Sequence, residues 1–482
     1  MALLGITPAG ALVKLPSIFA DHMVLQTGKP VPIWGMADPW EKVTVTFGGQ
    51  TKSAEADKDG NWTMKLDAMP PNGEPQDLTV QGNKNSRAIK DVLIGEVWLC
   101  SGQSNMALPV SKALNFETEK AAATWPKIRM GLPTGSKWVV CSPETVGAFS
   151  AAAYFFGREL HQKMGVPIGL VHLSAGGTPI EFWTSQEAQQ AVPELKPLFD
   201  TAAVAAPAGP DSAQAQSDAQ QAVEVEGKQA VTGQKVGPGG LFTSRILPVV
   251  PFAIRGVIWY QGEANSYTVH ANLYGVQLAT MIKDWRARWG YDFPFITVQL
   301  PNIGGPQSEP VQTCGRVLVR EGELKSLSLP NTGLAVTIGT GEEKSNHPQN
   351  KQEAGRRLAQ WTLAKVYEKK DVVASGPLLE SSKIADGKVI VTFSQADGGL
   401  KAQDGGELKG FAIAGADLKW VWAKATISGN TVIVSSPEVK EPIGVRYAWA
   451  TNPATSNLSN ASGLPASPFR TDNEPLTNSY MH

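Results

Sequence analysis

Ser104, within Gly102-Gln103-Ser104-Asn105, is the residue from which chemistry can start. A serine hydroxyl is a poor nucleophile at neutral pH, so it needs a base within hydrogen-bond reach and fixed donors aimed at the developing oxyanion. Read alone, the stretch is equally a polar turn, which Ser and Asn favour. Six histidines are available as the base. His22 lies in an early β-patterned region and His482 at the end of the sequence. His161 falls near the C-terminal end of a helical pattern, where an imidazole meets the macrodipole favourably, and His172 lies inside an apolar strand. His270 and His347 are left. His347 follows a buried-strand pattern and a loop and stands just before Pro348 and a helix, a placement that projects an imidazole over strand ends. It is read as the base, and His270 as a residue lining the pocket. The oxyanion donors are expected to be the Ser104 N–H, a second N–H from Gly176 or Gly177, and a side-chain amide. The two glycines also read as a tight strand-to-helix turn. Trp183, Trp259, Tyr260 and Tyr267 cluster near these residues in sequence, and their faces suit sugar rings, with core packing as the alternative.

Strands and helices must present these groups. The apolar run from Val92 to Cys100 reads as a buried strand that Gly102 ends in a sharp turn, leaving Ser104 just past the strand, where open α/β sheets do their chemistry. Strand patterns follow at Ile168–Leu173, Gly256–Tyr260, Phe293–Leu300 and Leu334–Ile338. Helical patterns alternate with them at Ala151–Met164, Tyr274–Trp289, Val317–Leu327 and Asn350–Glu368. Before this βα alternation, Leu15 to Ala88 carries short alternating segments such as Lys42–Phe47, where Val43, Val45 and Phe47 share one face. After Val372 the β pattern returns, as in Lys388–Phe393 and Thr431–Val434. The expected organisation is an N-terminal β-sandwich over residues 12–91, an α/β catalytic domain over 92–371, and a β-rich domain over 372–482. Residues 202–240, rich in Ala, Gln, Gly and Pro, read as an insertion or lid-like excursion with a short polar helix at Ala213–Val223.

Composition narrows the partners. Hydrophobic residues make up 42% and charged residues 18%, which is globular, and a net charge of −1 leaves no basic field for nucleic acid or an acidic membrane. No apolar run reaches the ~18 residues needed to span a bilayer. Three cysteines, Cys100, Cys141 and Cys314, are too few for a disulfide framework. Met1–Ala11 lacks a full signal sequence, but Ala9-Gly10-Ala11 reads as the remnant of one, so a secreted or periplasmic location is expected. No Cys/His/carboxylate grouping has metal-ligand spacing, and no phosphate-binding glycine loop or dinucleotide fingerprint appears. Serine-based acyl transfer needs no cofactor. Nothing in the sequence sets an oligomeric state.

Gly102-Gln103-Ser104-Asn105, Ser174-Ala175-Gly176-Gly177-Thr178-Pro179, Trp259-Tyr260-Gln261-Gly262-Glu263-Ala264-Asn265 and His347-Pro348-Gln349-Asn350-Lys351-Gln352 together resemble the sialate O-acetylesterase-like carbohydrate esterases, a branch of the SGNH-hydrolase superfamily. The resemblance runs from about Leu15 to the end of the helix after His347, and more loosely beyond. It implies a flavodoxin-like parallel sheet in the catalytic domain, Ser104 as nucleophile, His347 as base, and an oxyanion amide from Gln261 or Asn265. The family has an aspartate two positions before the histidine, where this chain has Ser345. Glu342, Glu343, Glu263 or a backbone carbonyl are the alternatives for orienting the imidazole, with Glu343 the local candidate. Glu263 is expected to anchor its loop, and with Trp259, Tyr267 and His270 to face the substrate.

The function implied is removal of O-acetyl groups from a carbohydrate, either O-acetylated sialic acid or an acetylated xylan. A sialate carboxylate would call for a basic pocket, for which Arg245 and Arg320 are candidates. Two rivals are a non-catalytic carbohydrate-binding protein on an esterase scaffold and an esterase for small non-sugar esters.

Overall fold

The computed structural model describes residues 12–135, 137–199 and 237–476; nearly all of the 202–240 stretch, residues 1–11 and His482 lie outside the described residues. Strands β1 (Val24–Gln26), β2 (Val31–Met36), β3 (Lys42–Phe47), β4 (Gln50–Glu55), β5 (Asn61–Leu66) and β6 (Asn72–Gln81) come first. In β3, Val43, Val45 and Phe47 are buried and their neighbours are not, as the alternation predicts. β2 pairs with β5, and β3 pairs with β4 and β6.

β7 (Ser86–Gly102) is the spine of the molecule. Its first half pairs antiparallel with β6, and Leu93–Gly95 pair parallel with β1. Its second half is the centre of a sheet ordered β13-β12-β11-β7-β10-β8-β9, formed by β8 (Trp125–Leu132), β9 (Lys137–Cys141), β10 (Ile168–Ser174), β11 (Gly256–Tyr260), β12 (Phe295–Val298) and β13 (Thr332–Ala335). The strands from β13 to β8 are parallel, and β9 is antiparallel at the edge, so the sheet is mixed rather than purely parallel. Numbered in chain order, the six parallel strands β7, β8, β10, β11, β12 and β13 stand 2-3-1-4-5-6 across the sheet, so the strand order switches direction between β7 and β11. Position 91/92 falls inside β7, so one continuous strand serves both the N-terminal β region and the central sheet.

Helices cover both faces. The helix Ala151–Met164 starts where Ser150 Oγ accepts the Ala153 N–H at 3.2 Å and stops at Gly165, in the left-handed region. Against it lies the helix Lys351–Lys365, approaching so closely at Gly355 that a Cβ there would be 2.5 Å from the Phe155 Cβ. Trp98, Cys100, Ile258 and Tyr260 pack towards this pair, while Leu99, Val257 and Trp259, on the other face of the same strands, pack towards Tyr274–Trp289. Both faces of the central strands are therefore buried, which is why they read as continuous apolar runs.

The chain ends in antiparallel β structure: β14 (Leu378–Ala385), β15 (Lys388–Ser394), β16 (Leu400–Ala402), β17 (Phe411–Ala414), β18 (Val421–Trp422), β19 (Lys424–Ser428), β20 (Thr431–Ser435), β21 (Gly444–Tyr447), β22 (Leu458–Asn460) and β23 (Phe469–Arg470). They form sheets β14-β15-β20-β19 and β18-β17-β21-β23 and the pair β16-β22 around a core that includes Phe393, Phe411, Tyr447 and Phe469. Fully buried Arg320 ties this region to the central sheet by donating to the carbonyls of Leu300, Pro301, Ala450 and Thr451. No described helix is long and apolar enough to cross a membrane.

Candidate active site

The site is built at the carboxyl ends of β7, β10 and β11. Gly102 closes β7 with φ +142°, and a Cβ there would lie 2.1 Å from the Tyr260 carbonyl oxygen, so only glycine lets β7 run this close to β11. Gln103 N–H then bonds the Tyr260 carbonyl at 3.0 Å, and the chain turns into the short helix Ser104–Ala107. Ser104 is 7% exposed, and its N–H, at the first position of that helix, has no partner within the helix.

His347 Nε2 lies 2.7 Å from Ser104 Oγ. The loop after β13 delivers the ring: Asn302 Oδ1 accepts the N–H groups of Gly339 and Gly341, each at 3.0 Å, and Ser345 Oγ accepts the His347 backbone N–H at 3.1 Å. Ser345, at the family's aspartate position, thus grips the backbone of His347. Glu343, the expected orienting acid, is exposed, and its backbone carbonyl accepts the Gly304 N–H at 3.0 Å. The Glu342 carboxylate is engaged with the Gln349 N–H at 2.6 Å.

Ala175 N–H bonds the Gly102 carbonyl at 3.0 Å, which brings half-buried Gly176 and exposed Gly177 to the end of β10 beside Ser104. The amides expected to complete the oxyanion hole are used elsewhere. Gln261 is wholly buried; its Nε2 faces Asn265 Oδ1 at 2.8 Å, Gln103 Oε1 at 3.1 Å and Thr178 O at 3.2 Å, and its Oε1 accepts from Tyr274. Asn265 donates to Glu181 and accepts from Ile180 N–H. With two amide protons and three acceptors, Gln261 has none left for substrate, which corrects its expected oxyanion role: its amide locks the loops together.

Behind Ser104, Asn105 is fully buried. Its Nδ2 donates to Glu263 Oε1 at 2.5 Å and to the Asn346 carbonyl at 2.9 Å, and its Oδ1 accepts from Lys351 Nζ at 2.6 Å. Lys351 and the role of Asn105 escape sequence reasoning: a lysine in the first turn of a helix reads as solvated. Glu263, 3% exposed, anchors its loop as expected but through the Asn105 side chain, and its burial corrects the expectation that it faces substrate.

Comparison with known proteins now places the chain. The family model described as "Carbohydrate esterase, sialic acid-specific acetylesterase" matches residues 217–367. Sialate O-acetylesterases of Mus musculus and Homo sapiens are 29% and 28% identical, each alignment covering 96% of this chain and 94% and 93% of those proteins. The crystal structure of a carbohydrate acetylesterase from Xanthomonas citri is 35% identical, covers 96% of this chain and 100% of its own, and superposes with a TM-score of 0.82. The chain belongs to the sialate O-acetylesterase-like carbohydrate esterases.

The esterase is thus a carboxylic ester hydrolase, with a mixed α/β fold carrying extra β-rich regions like that acetylesterase. Some residues expected at its substrate face are not there. Trp259 is fully buried, edge-on to Trp183 at 5.8 Å and Trp285 at 5.9 Å, and is a core residue because it points to the face of β11 opposite Tyr260. Arg320 is committed to backbone carbonyls and cannot meet a sugar carboxylate, and Arg245 donates to the Ser174 carbonyl. Tyr267 and His270 are half-buried near the site, Tyr267 Oη accepting from Asn346 Nδ2 at 2.9 Å. His270 opposes the effect of burial on Glu181, whose pKa burial raises. The other described histidines are structural: His161 Nδ1 bonds the Val166 carbonyl, His22 pairs with Asp91, and His172 contacts Ser174 Oγ at 2.6 Å, with burial and then Arg245 pushing its pKa down to about 4. Among the described residues no group of His, Cys, Asp and Glu could hold a metal ion.

Proposed function

We propose that this chain is a serine esterase of SGNH type that removes O-acetyl groups from carbohydrates through an acyl-enzyme on Ser104. The observation that carries the reading is the 2.7 Å contact between Ser104 Oγ and His347 Nε2 at the switch point of the sheet. His347 takes the hydroxyl proton as Ser104 Oγ forms a bond to the acetyl carbonyl carbon. The resulting oxyanion is received by the N–H groups of Ser104 and Gly176, fixed donors that need no reorganisation. Collapse breaks the bond to the sugar oxygen, which leaves with the proton from His347. A water, deprotonated by His347, then attacks the acetyl-serine carbonyl carbon, and the bond to Ser104 Oγ breaks, releasing acetate as Oγ takes the proton back from His347. Ser345, through the backbone of His347, supports the ring from the position where the family has its aspartate.

The substrate class is O-acetylated sialic acid or an acetylated xylan-type polysaccharide, hydrolysed by a catalytic unit over 92–371 that is flanked by β units over 12–91 and 372–482. The test is acetate release from p-nitrophenyl acetate, acetylated xylooligosaccharide and O-acetylated sialic acid by wild type, Ser104→Ala and His347→Ala. Both variants are expected at background, with one sugar ester exceeding p-nitrophenyl acetate in kcat/KM. Undiminished activity of either variant overturns the mechanism, and no preference for either sugar makes this a small-ester esterase.

A further inference from the structure

Lys351 is an ammonium where folding energetics disfavour one. It is fully buried, and it opens the helix Lys351–Lys365, whose N-terminal dipole repels a cation. Burial pushes its pKa down to about 7, opposed by Glu263 and Glu342. What surrounds it explains the arrangement. Lys351 Nζ donates to Asn105 Oδ1 at 2.6 Å and to the Pro348 carbonyl at 2.7 Å, and lies 5.4 Å from the centre of the Tyr260 ring. The Asn105 amide continues to Glu263 Oε1, so a buried ammonium and a buried carboxylate are joined through one amide that both polarise in the same sense. The remaining Nδ2 proton goes to the Asn346 carbonyl. The two carbonyls gripped, Asn346 O and Pro348 O, are those flanking His347, and Asn105 is covalently next to Ser104.

We propose that Lys351, Asn105 and Glu263 form an ammonium–amide–carboxylate bridge that positions His347 against Ser104. None of the three touches the reacting atoms; they are positioning residues. The inference rests on the reading of Ser104 and His347 as nucleophile and base. The bridge ties the carbonyls of the residues before and after His347 to the residue beside the nucleophile, so the backbone that carries the imidazole cannot shift away from Ser104 without breaking one of these hydrogen bonds. Arg316, donating to Asn346 Oδ1 at 2.5 Å, steadies the same loop from the opposite side.

The test compares Lys351→Met, which keeps the apolar stem and removes the charge, with Lys351→Gln, which keeps an N–H donor. Misplacing a reacting group by about 1 Å costs about 10²-fold in rate, so Lys351→Met is expected to lose about that much in kcat with KM within about two-fold of wild type. Its Tm is expected to fall, because Glu263 is left as a buried carboxylate without its cation, whereas Lys351→Gln keeps a donor to Asn105 Oδ1 and loses less. Lys351→Gln should recover part of kcat. A Lys351→Met enzyme with wild-type kcat, or one whose kcat and Tm fall together while Lys351→Gln recovers neither, overturns the proposal. If Lys351→Met gives no soluble protein, Asn105→Ser carries the same kcat and Tm comparison. His347→Ala in the same assay separates the two levels: an active His347→Ala removes the hydrolytic reading and this proposal with it, whereas an inactive His347→Ala beside a fully active Lys351→Met removes only the bridge.

Discussion

Two neighbouring strand ends, paired at Gly102 and Tyr260, carry motifs of similar composition and opposite character. At the end of β7, Ser104 leaves its hydroxyl against the imidazole of His347, close to the surface. At the end of β11, Gln261 and Asn265 are sealed in, with both Gln261 amide protons facing protein acceptors and Asn265 Nδ2 donating to Glu181. Residue type does not distinguish these ends; hydrogen-bond saturation does. A group that has spent its donors on the fold stabilises the fold, and a group held at contact distance with capacity left can act on a substrate.

The largest effect expected is at the β7 end. On the proposed mechanism, Ser104→Ala and His347→Ala should each lower kcat by about 10⁴-fold or more, as in serine hydrolases whose nucleophile or base is removed, measured as acetate release at saturating ester. At the β11 end the loss should appear in stability instead. Gln261→Ala strips the acceptor from Tyr274 and the donor from Gln103, Thr178 and Asn265, at a cost of about 1–3 kcal/mol per buried group left unsatisfied, read by denaturant melts. Its surviving folded fraction should keep kcat well above the 10²–10³-fold loss typical of a deleted oxyanion donor; a loss of that size with unchanged stability would return Gln261 to the oxyanion hole. Ser345→Ala should cost about 0.5–1.5 kcal/mol of support for the His347 backbone and lower kcat only several-fold, the sign that Ser345 grips the main chain and does not stand in for an acid.

A subtler contrast concerns pH. With the Lys351 pKa lowered from 10.5 to about 7, the unfolded state binds more protons than the folded one between those values, so this residue's contribution to stability rises with pH across that window. The penalty is full below about pH 7 and relieved towards pH 10.5. The stability of Lys351→Met relative to wild type should therefore be highest in melts at about pH 6 and lowest at about pH 9.5; a difference independent of pH would mean that Lys351 keeps an ordinary pKa.

Much of this was legible in the sequence. Gly256–Tyr260 and Tyr274–Trp289 read correctly to the residue because buried strands and an amphipathic helix leave opposite periodicities, and Ser104 and His347 announced themselves as polar residues at the ends of apolar runs. The first half of β7 did not, since Ser86–Asp91 is largely exposed and is a strand only through its partner β6, a non-local pairing. Trp259 lies beside the motif in sequence, but one residue along a strand reverses direction, and its ring belongs to the core under Tyr274–Trp289. Lys351 was hidden for the converse reason: burial of a lysine depends on what three separate loops bring to it.

The most direct test of the central claim is to trap the esterase with a fluorophosphonate that mimics the tetrahedral intermediate and map the adduct by peptide mass spectrometry. The account predicts a single adduct on Ser104, absent from Ser104→Ala and much slowed in His347→Ala. An adduct on another residue, or labelling of Ser104→Ala at the wild-type rate, would contradict it.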